Sequence, residues 1–333
     1  MNITILYNRV INPDNPDEQD VIVQRDAIDD VLTRSGHTVI SIACNLNLQA
    51  LIEKIEQIKP DLVFNLVESL NNNGQFIHLV PTILENLGIP FTGSPANTIY
   101  LSSNKLLAKN ILHLHKLPTA QWMTLHHPGY INQITPEEQF IIKSVWEHAS
   151  LGLYASSVVR VDSIQTVYEK IQQKVKESGK EFFAEQYIDG REFNVSILET
   201  EQGPQVLPIP EIKFIHFNGK PKIVDYKAKW DSDSFEYHHT PRYFLPQNEE
   251  KALQQKLKDI CLTCWKIFGL RGYARIDFRV NRYNQPYILE INANPCLSQD
   301  AGFTAACTQN KLPYDQMINN ILQFTSMGVQ NSC

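Results

Sequence analysis

The stretch GYARIDFRVNRYNQPYILEINANP carries the residues best suited to chemistry. Strand alternation puts Arg275, Asp277 and Arg279 on one face of YARIDFRV, and Ile276, Phe278 and Val280 on the other. NRYNQ reads as a turn, and Pro286 opens a return strand, PYILEIN, in which Glu290 and Asn292 share a face. If the two strands pair as a hairpin, Asp277 lies near Glu290 and Asn292. Two carboxylates and an amide oxygen on one sheet face form a hard-oxygen cluster. Mg²⁺ takes such ligands and completes its octahedron with water and nucleotide phosphates. Bare, the carboxylates would repel each other, and a cation or the nearby Arg275 offsets that. A solvated sheet face with alternating charge is the other reading of this spacing. The Asn-x-Asn-Pro ending is unusual for a plain strand and favours a site.

The rest of the chain must position that hairpin. ITILYN, HTVISIA and DLVFNLV read as strands, and Asp20 to Ser35, LQALIEKIEQIK and HLVPTILENLG as helices, before IPFTGS returns to strand. This βαβαβ rhythm implies an α/β domain with a doubly wound parallel sheet over residues 1–104. A second unit, 105–189, holds a helix in SSNKLLAKNILHLHK with Ser102 or Ser103 as its cap. Strand FIIKSV, loop WEHASLGLYAS, helix SIQTVYEKIQQKVKESG and strand EFFAEQYI follow. The third, 190–333, is strand-rich and α+β in character. It contains REFNVSILE, an irregular stretch from Asp225 to Asn248, a long helix, the hairpin and a closing helix near YDQMINNILQF.

Composition narrows the function classes. The charge of −6 comes without a long basic run, which excludes an ordinary nucleic-acid partner. No apolar stretch is long enough to span a bilayer, and MNITILYNRV reads as a first strand rather than a signal peptide. The six cysteines, Cys44, Cys261, Cys264, Cys296, Cys307 and Cys333, are scattered, as a reducing cytoplasm allows. Cys261 and Cys264 fall in a helical period without a second metal-ligand pair, so they read as core.

RIDFR followed by LEINANP resembles the C-terminal metal motif of ATP-grasp enzymes, specifically of the D-alanine–D-alanine ligase group. IPFTGS, NKLLAK, FIIKSVWEHASLGL, FAEQYIDGREFNVSIL, LPIPEI and YKAKW follow that family's order and spacing. The resemblance implies an ATP-grasp fold and an ATP- and Mg²⁺-dependent ligase that joins a carboxylate to an amine through an acyl phosphate. Two metal ions are implied, with Mn²⁺ as a substitute, and a homodimer is compatible. By position, Lys105 and Lys143 match the nucleotide lysines, with Lys143 expected to be the better ordered. Glu185 matches the adenine contact, the backbone of Gln186, Tyr187 and Ile188 the hinge, and Glu192 the ribose acceptor. Ser150 lies in the phosphate loop. Lys229 matches a mobile-loop lysine that reaches the phosphates. Asp277, Glu290 and Asn292 match the metal ligands, and Arg275 the arginine that holds oxyanion charge. Glu18 matches the acid that takes a substrate ammonium. Taken singly, Lys105 would read as a solvated helix lysine, Glu192 as part of an edge strand, and Glu18 as a loop acid.

The substrate half departs from the pattern. Ala149 and Trp230 stand where the family has Ser and Tyr, and Ala301 where a Ser receives a carboxylate. Ala has no hydroxyl, and Trp only donates. Pro295–Cys296 replaces Pro-Gly, and Glu68 stands where a His is often found. A ligase for a pair other than two D-alanines is therefore expected. A D-alanine–D-alanine ligase with a diverged pocket and a non-catalytic nucleotide-binding protein are the alternatives, and the intact Arg275, Asp277, Glu290 and Asn292 set argues against the last.

Overall fold

The computed structural model describes residues 1–127, 129, 131, 134–135 and 138–330, with side chains to 326; Cys333 lies outside them. The chain opens with β1 (Asn2–Asn8), α1 (Pro16–Arg34), β2 (Thr38–Cys44), α2 (Leu48–Ile58), β3 (Leu62–Asn65) and α3 (Leu79–Asn86). β1 pairs in parallel with both β2 and β3. Alternation along β1 sends Ile3 and Ile5 into a core with Ile28, Val31 and Leu32 of α1. Leu6 goes to the opposite face, with Leu51 and Ile55 of α2 and Val80 and Leu84 of α3. Helices cover both faces of this parallel sheet, which is the doubly wound arrangement.

Two expectations need correction here. IPFTGS makes only one parallel bridge, Phe91 to Val63, because Gly93, at φ 87°, turns the chain away. The stretch expected as one helix capped by Ser102 or Ser103 is two, α4 (Ala96–Ser103) and α5 (Lys105–Leu114). The serines end α4. Asn104 caps α5, its Oδ1 accepting from the amides of Leu106 and Leu107 at 3.0 and 2.9 Å.

A four-stranded antiparallel sheet follows, made of β4 (Trp122–Met123), β5 (Gln139–Ser144), β6 (Val158–Arg160) and β7 (Phe182–Gln186) in the order β4-β7-β5-β6. α6 (Ile164–Ser178) packs Val167 and Ile171 against its Phe140, Ile142 and Ala184. The third sheet holds β8 (Arg191–Thr200), β9 (Gly203–Val206), β10 (Pro210–Ile212), β11 (Arg242–Phe244), β12 (Tyr273–Val280) and β13 (Pro286–Asn292). Its order is β11-β10-β8-β12-β13, with β9 beside β8. The stretch that reads as irregular holds the short helices α7 (Tyr226–Trp230) and α8 (Phe235–His238). α9 (Lys251–Phe268) buries Cys261 and Cys264 against Ile276, Phe278 and Val280.

Packing crosses the expected domain limits twice. Ile99 of α4, and Ala108 and Leu112 of α5, enter the core of the third sheet. Phe303 of α10 (Gly302–Gln309) and Met317 and Ile318 of α11 (Tyr314–Gln330) enter the core of the first. No described helix is long and apolar enough to cross a membrane.

Candidate active site

β12 and β13 form the expected hairpin. Asp277 stands opposite Glu290 and Arg275 opposite Asn292, with a bulge after Asp277. Ile276, Phe278 and Val280 fill the core beneath, so the charged set faces out into one cavity of about 430 Å³. Arg275 donates from Nε and Nη2 to the two oxygens of Asp277, both at 2.8 Å. Its Nη2 also lies 4.0 Å from Glu290. Burial raises the Glu290 carboxyl, yet the charges of Lys105, Lys229 and Arg275 outweigh it and hold the group well below the usual carboxylate range.

This donor set fits Mg²⁺. Asn292 Oδ1 accepts only from the Asn294 amide, at 3.1 Å, and keeps a lone pair. Each oxygen of Asp277 also has a lone pair beyond its bond to Arg275. No group of three or more His, Cys, Asp or Glu side chains among the described residues forms an all-protein cage. A Mg²⁺ ion bound partly through substrate phosphates needs none.

The residues expected to hold the nucleotide, Lys105 of α5, Lys143 and Glu185 to Ile188 at the second sheet and Glu192 of β8, line the same cavity. Glu185 is almost fully buried and paired by both oxygens, to Lys143 at 2.5 Å and to Lys109 at 2.6 Å. Lys109 also donates to Thr119 Oγ1 and the Ala120 carbonyl. Burial lowers the Lys109 pKa, whereas Glu185 carries that of Lys143 above its usual value despite burial. Lys105, at 7% exposed, is no less enclosed than Lys143; its Nζ donates to the Glu147 carbonyl at 2.5 Å. Tyr187 spends its amide on the Gln139 carbonyl, and Gln186 on that of Gln121. The Ile188 carbonyl accepts from Arg279 Nε at 2.9 Å. Glu192 is buried, and its one ion pair, to Arg279, is long at 3.4 Å, which leaves acceptor capacity. Burial raises its pKa.

Two loops meet over the cavity. Ser150 Oγ donates to the Val224 carbonyl at 2.8 Å, Trp230 Nε1 to the Ala149 carbonyl at 3.0 Å, and the Tyr226 amide to the Leu153 carbonyl at 3.0 Å. Tyr226 OH reaches Asp17 at 2.8 Å, tying the lid to α1. Lys229, on α7, faces inward; burial lowers its pKa, and the neighbouring Arg275 lowers it further.

The structure does not bring Glu18 to the cavity wall. α1 starts at Pro16 rather than Asp20, and this turns Asp17, Asp20 and Val21 inward. Glu18 instead accepts from the amides of Ile11 and Asn12 and the side chains of Asn15 and Asn72, at 2.6 to 3.0 Å, and folds the loop after β1. Asp20 accepts from Cys296 Sγ and Ser298 Oγ, each at 3.0 Å. Glu68 lines the wall, and burial, then the Asp20 charge, push its carboxyl up to about 7. Ala301 and Gly302 open α10 at the far end, beside Arg242.

Sequence reasoning passed over Lys109, His148, Arg242 and, beyond its face, Arg279. The i, i+4 spacing of Lys105 and Lys109 in NKLLAK was the available signal for the first. Arg242 sits in a stretch without period.

The family model described as "D-ala D-ala ligase C-terminus" matches residues 113–323. A D-alanine–D-alanine ligase of Carboxydothermus hydrogenoformans is 28% identical over 314 residues, covering 92% of this chain and 93% of that protein. An uncharacterized protein of Sinorhizobium fredii is 28% identical over 310 residues, 89% of this chain and 85% of that one. Among solved structures, the D-alanine–D-alanine ligase of Bacillus anthracis complexed with ATP superposes with a TM-score of 0.74 at 20% identity, each chain fully covered.

Proposed function

We infer the function from one premise: the chain belongs to the D-Ala D-Ala ligase family, whose C-terminal model it matches over residues 113–323. It is an ATP-grasp, ADP-forming carbon–nitrogen ligase that uses ATP and Mg²⁺. The observation that carries the reading is convergence on one cavity. Lys105, Lys143, Lys229 and Arg275 meet Asp277, Glu290 and Asn292 beneath two linked loops.

In this reading a substrate carboxylate attacks the γ-phosphorus of ATP, ADP leaves, and an acyl phosphate forms. The second substrate's amine then attacks the acyl carbon, and phosphate leaves with the bonding pair. Lys105, Lys143 and Lys229 hold phosphate charge as compact cations. Bound Mg²⁺, held by Asp277, Glu290 and Asn292, supplies Lewis-acid polarisation of the phosphate oxygens. Arg275 takes up oxyanion charge at the acyl carbon. Glu192 accepts from ribose, the Glu185 region and the 186–188 backbone border the adenine, and the Ser150 loop excludes water from the acyl phosphate. Asp17 and Asp20 offer negative charge to an ammonium group, the role expected of Glu18, and Glu68 offers a carboxyl oxygen beside them. Arg242 offers positive charge to a carboxylate where Ala301 has no hydroxyl.

The substrates are proposed to differ from a pair of D-alanines. Ala149, Trp230 and Ala301 together remove hydroxyls from the substrate end. The loop link survives through Trp230 Nε1, so the change falls on substrate contacts rather than on closure. Each lost hydrogen bond to a charged group costs roughly 1.5–3 kcal/mol. Two or three losses amount to on the order of a thousandfold in rate, at about 1.4 kcal/mol per factor of ten. Incubation with ATP, Mg²⁺ and millimolar D-alanine, with dipeptide measured by mass spectrometry, is expected to give turnover far below the roughly 10 per second of a typical metabolic enzyme. Turnover near that rate would make the chain a D-alanine–D-alanine ligase proper.

A further inference from the structure

The loop between β5 and β6 carries an imidazole that the mechanism above does not use. Both ring nitrogens of His148 are shut off from solvent with no hydrogen-bond partner among the described residues, although the residue lines the cavity. Buried polar atoms of folded proteins are almost always paired, so an orphaned pair in a ligand cavity points to a ligand. The side chains beside it in the loop are committed or lack polar atoms. Glu147 pairs with Lys180 at 2.7 Å, Ser150 donates to Val224, and Ala149 has no polar side-chain atom.

The loop aims the ring. Ala149 and Ser150 hold left-handed backbone angles, φ 55° and 61°, which non-glycine residues seldom adopt outside functional turns. A Cβ at Gly74 would lie 3.7 Å from His148 Cδ2 and 2.4 Å from the Trp146 carbonyl oxygen, so one edge of the ring rests against the 71–74 turn. The charges around the imidazole are Lys105, Glu290, Lys229 and Arg275, the groups assigned above to phosphate, metal and oxyanion.

We propose that His148 donates a hydrogen bond to the terminal phosphoryl group of ATP and holds that group in line for transfer, an inference that rests on the ligase reading. A neutral imidazole suits the place: it adds an N–H donor without a further charge beside three cations. Burial, followed by the charge of Lys105, holds the ring neutral by pushing its pKa down to about 4.

The test is calorimetric titration with Mg²⁺ and either the imido analogue of ATP or ADP, on the wild-type chain, His148→Ala and His148→Asn. His148→Ala is expected to lose roughly tenfold to a hundredfold in affinity for the triphosphate analogue. Its ADP affinity should stay within about twofold, which also shows that the site is folded. His148→Asn, which keeps a donor, should recover part of the loss. Equal losses for both nucleotides would mean a structural role, and no loss for either would mean no contact; each overturns the proposal. A wild-type chain that binds neither nucleotide would overturn the ligase reading first.

Discussion

Asp277→Asn and Glu290→Gln are each expected to lower ATP-dependent product formation by at least about a hundredfold while the chain stays folded. Changes in the partners that merely orient metal ligands already cost ~10–100-fold, and a direct ligand should exceed that. The two variants differ in a useful way. Asp277 also anchors Arg275 through two hydrogen bonds, whereas Glu290 is only at ion-pair distance from it. Loss in Asp277→Asn alone would therefore point to Arg275 rather than to metal. Loss in both, with a rise in the Mg²⁺ concentration needed for half-maximal ADP release, supports the metal set. Undiminished product from both variants would remove it.

Glu185→Gln is expected to destabilise the fold by about 3–5 kcal/mol, the usual cost of removing one partner from a buried ion pair. Lys109 and Glu185 are 2% and 1% exposed, and Glu185 pairs with Lys143 as well, which leaves little room for water to compensate. Without the carboxylate, Lys109 becomes an uncompensated buried cation. Adding Lys109→Met should return much of the lost stability, a coupling that separates charge from packing. Denaturant unfolding of Glu185→Gln, Lys109→Met and the double variant checks this. A Glu185→Gln midpoint unchanged from wild type would show that the triad carries no such weight.

The hairpin and its charged face were legible because period-two alternation over a buried sheet admits only one register with Ile276, Phe278 and Val280 inside. The doubly wound sheet was legible for the same kind of reason, since each strand and helix repeats its own period. Glu18 was misplaced because its role depends on where α1 begins. Moving that start by four residues exchanges the residues that face the cavity, and Pro16 at the first turn was the mark of the true start. Asn104 was missed as a cap because two neighbouring serines carry the same chemistry. His148 lies in a loop and Arg242 opens the three-residue β11, too short for a period to fix direction. Their positions follow from tertiary contacts such as Gly74 against Trp146 and Gly302 beside Arg242. Lys109 is marked in the sequence only by its i, i+4 spacing from Lys105, and it is the buried Glu185 that gives it a partner.

The most direct measurement is ADP release with ATP and Mg²⁺ across amino acids and small carboxylates, singly and in pairs, with the organic product identified by mass spectrometry. For a carboxylate–amine ligase, a particular pair raises ADP release well above background, and one amide forms for each ADP. ADP release that never rises with any pair, or that rises with no amide formed, would contradict the assignment.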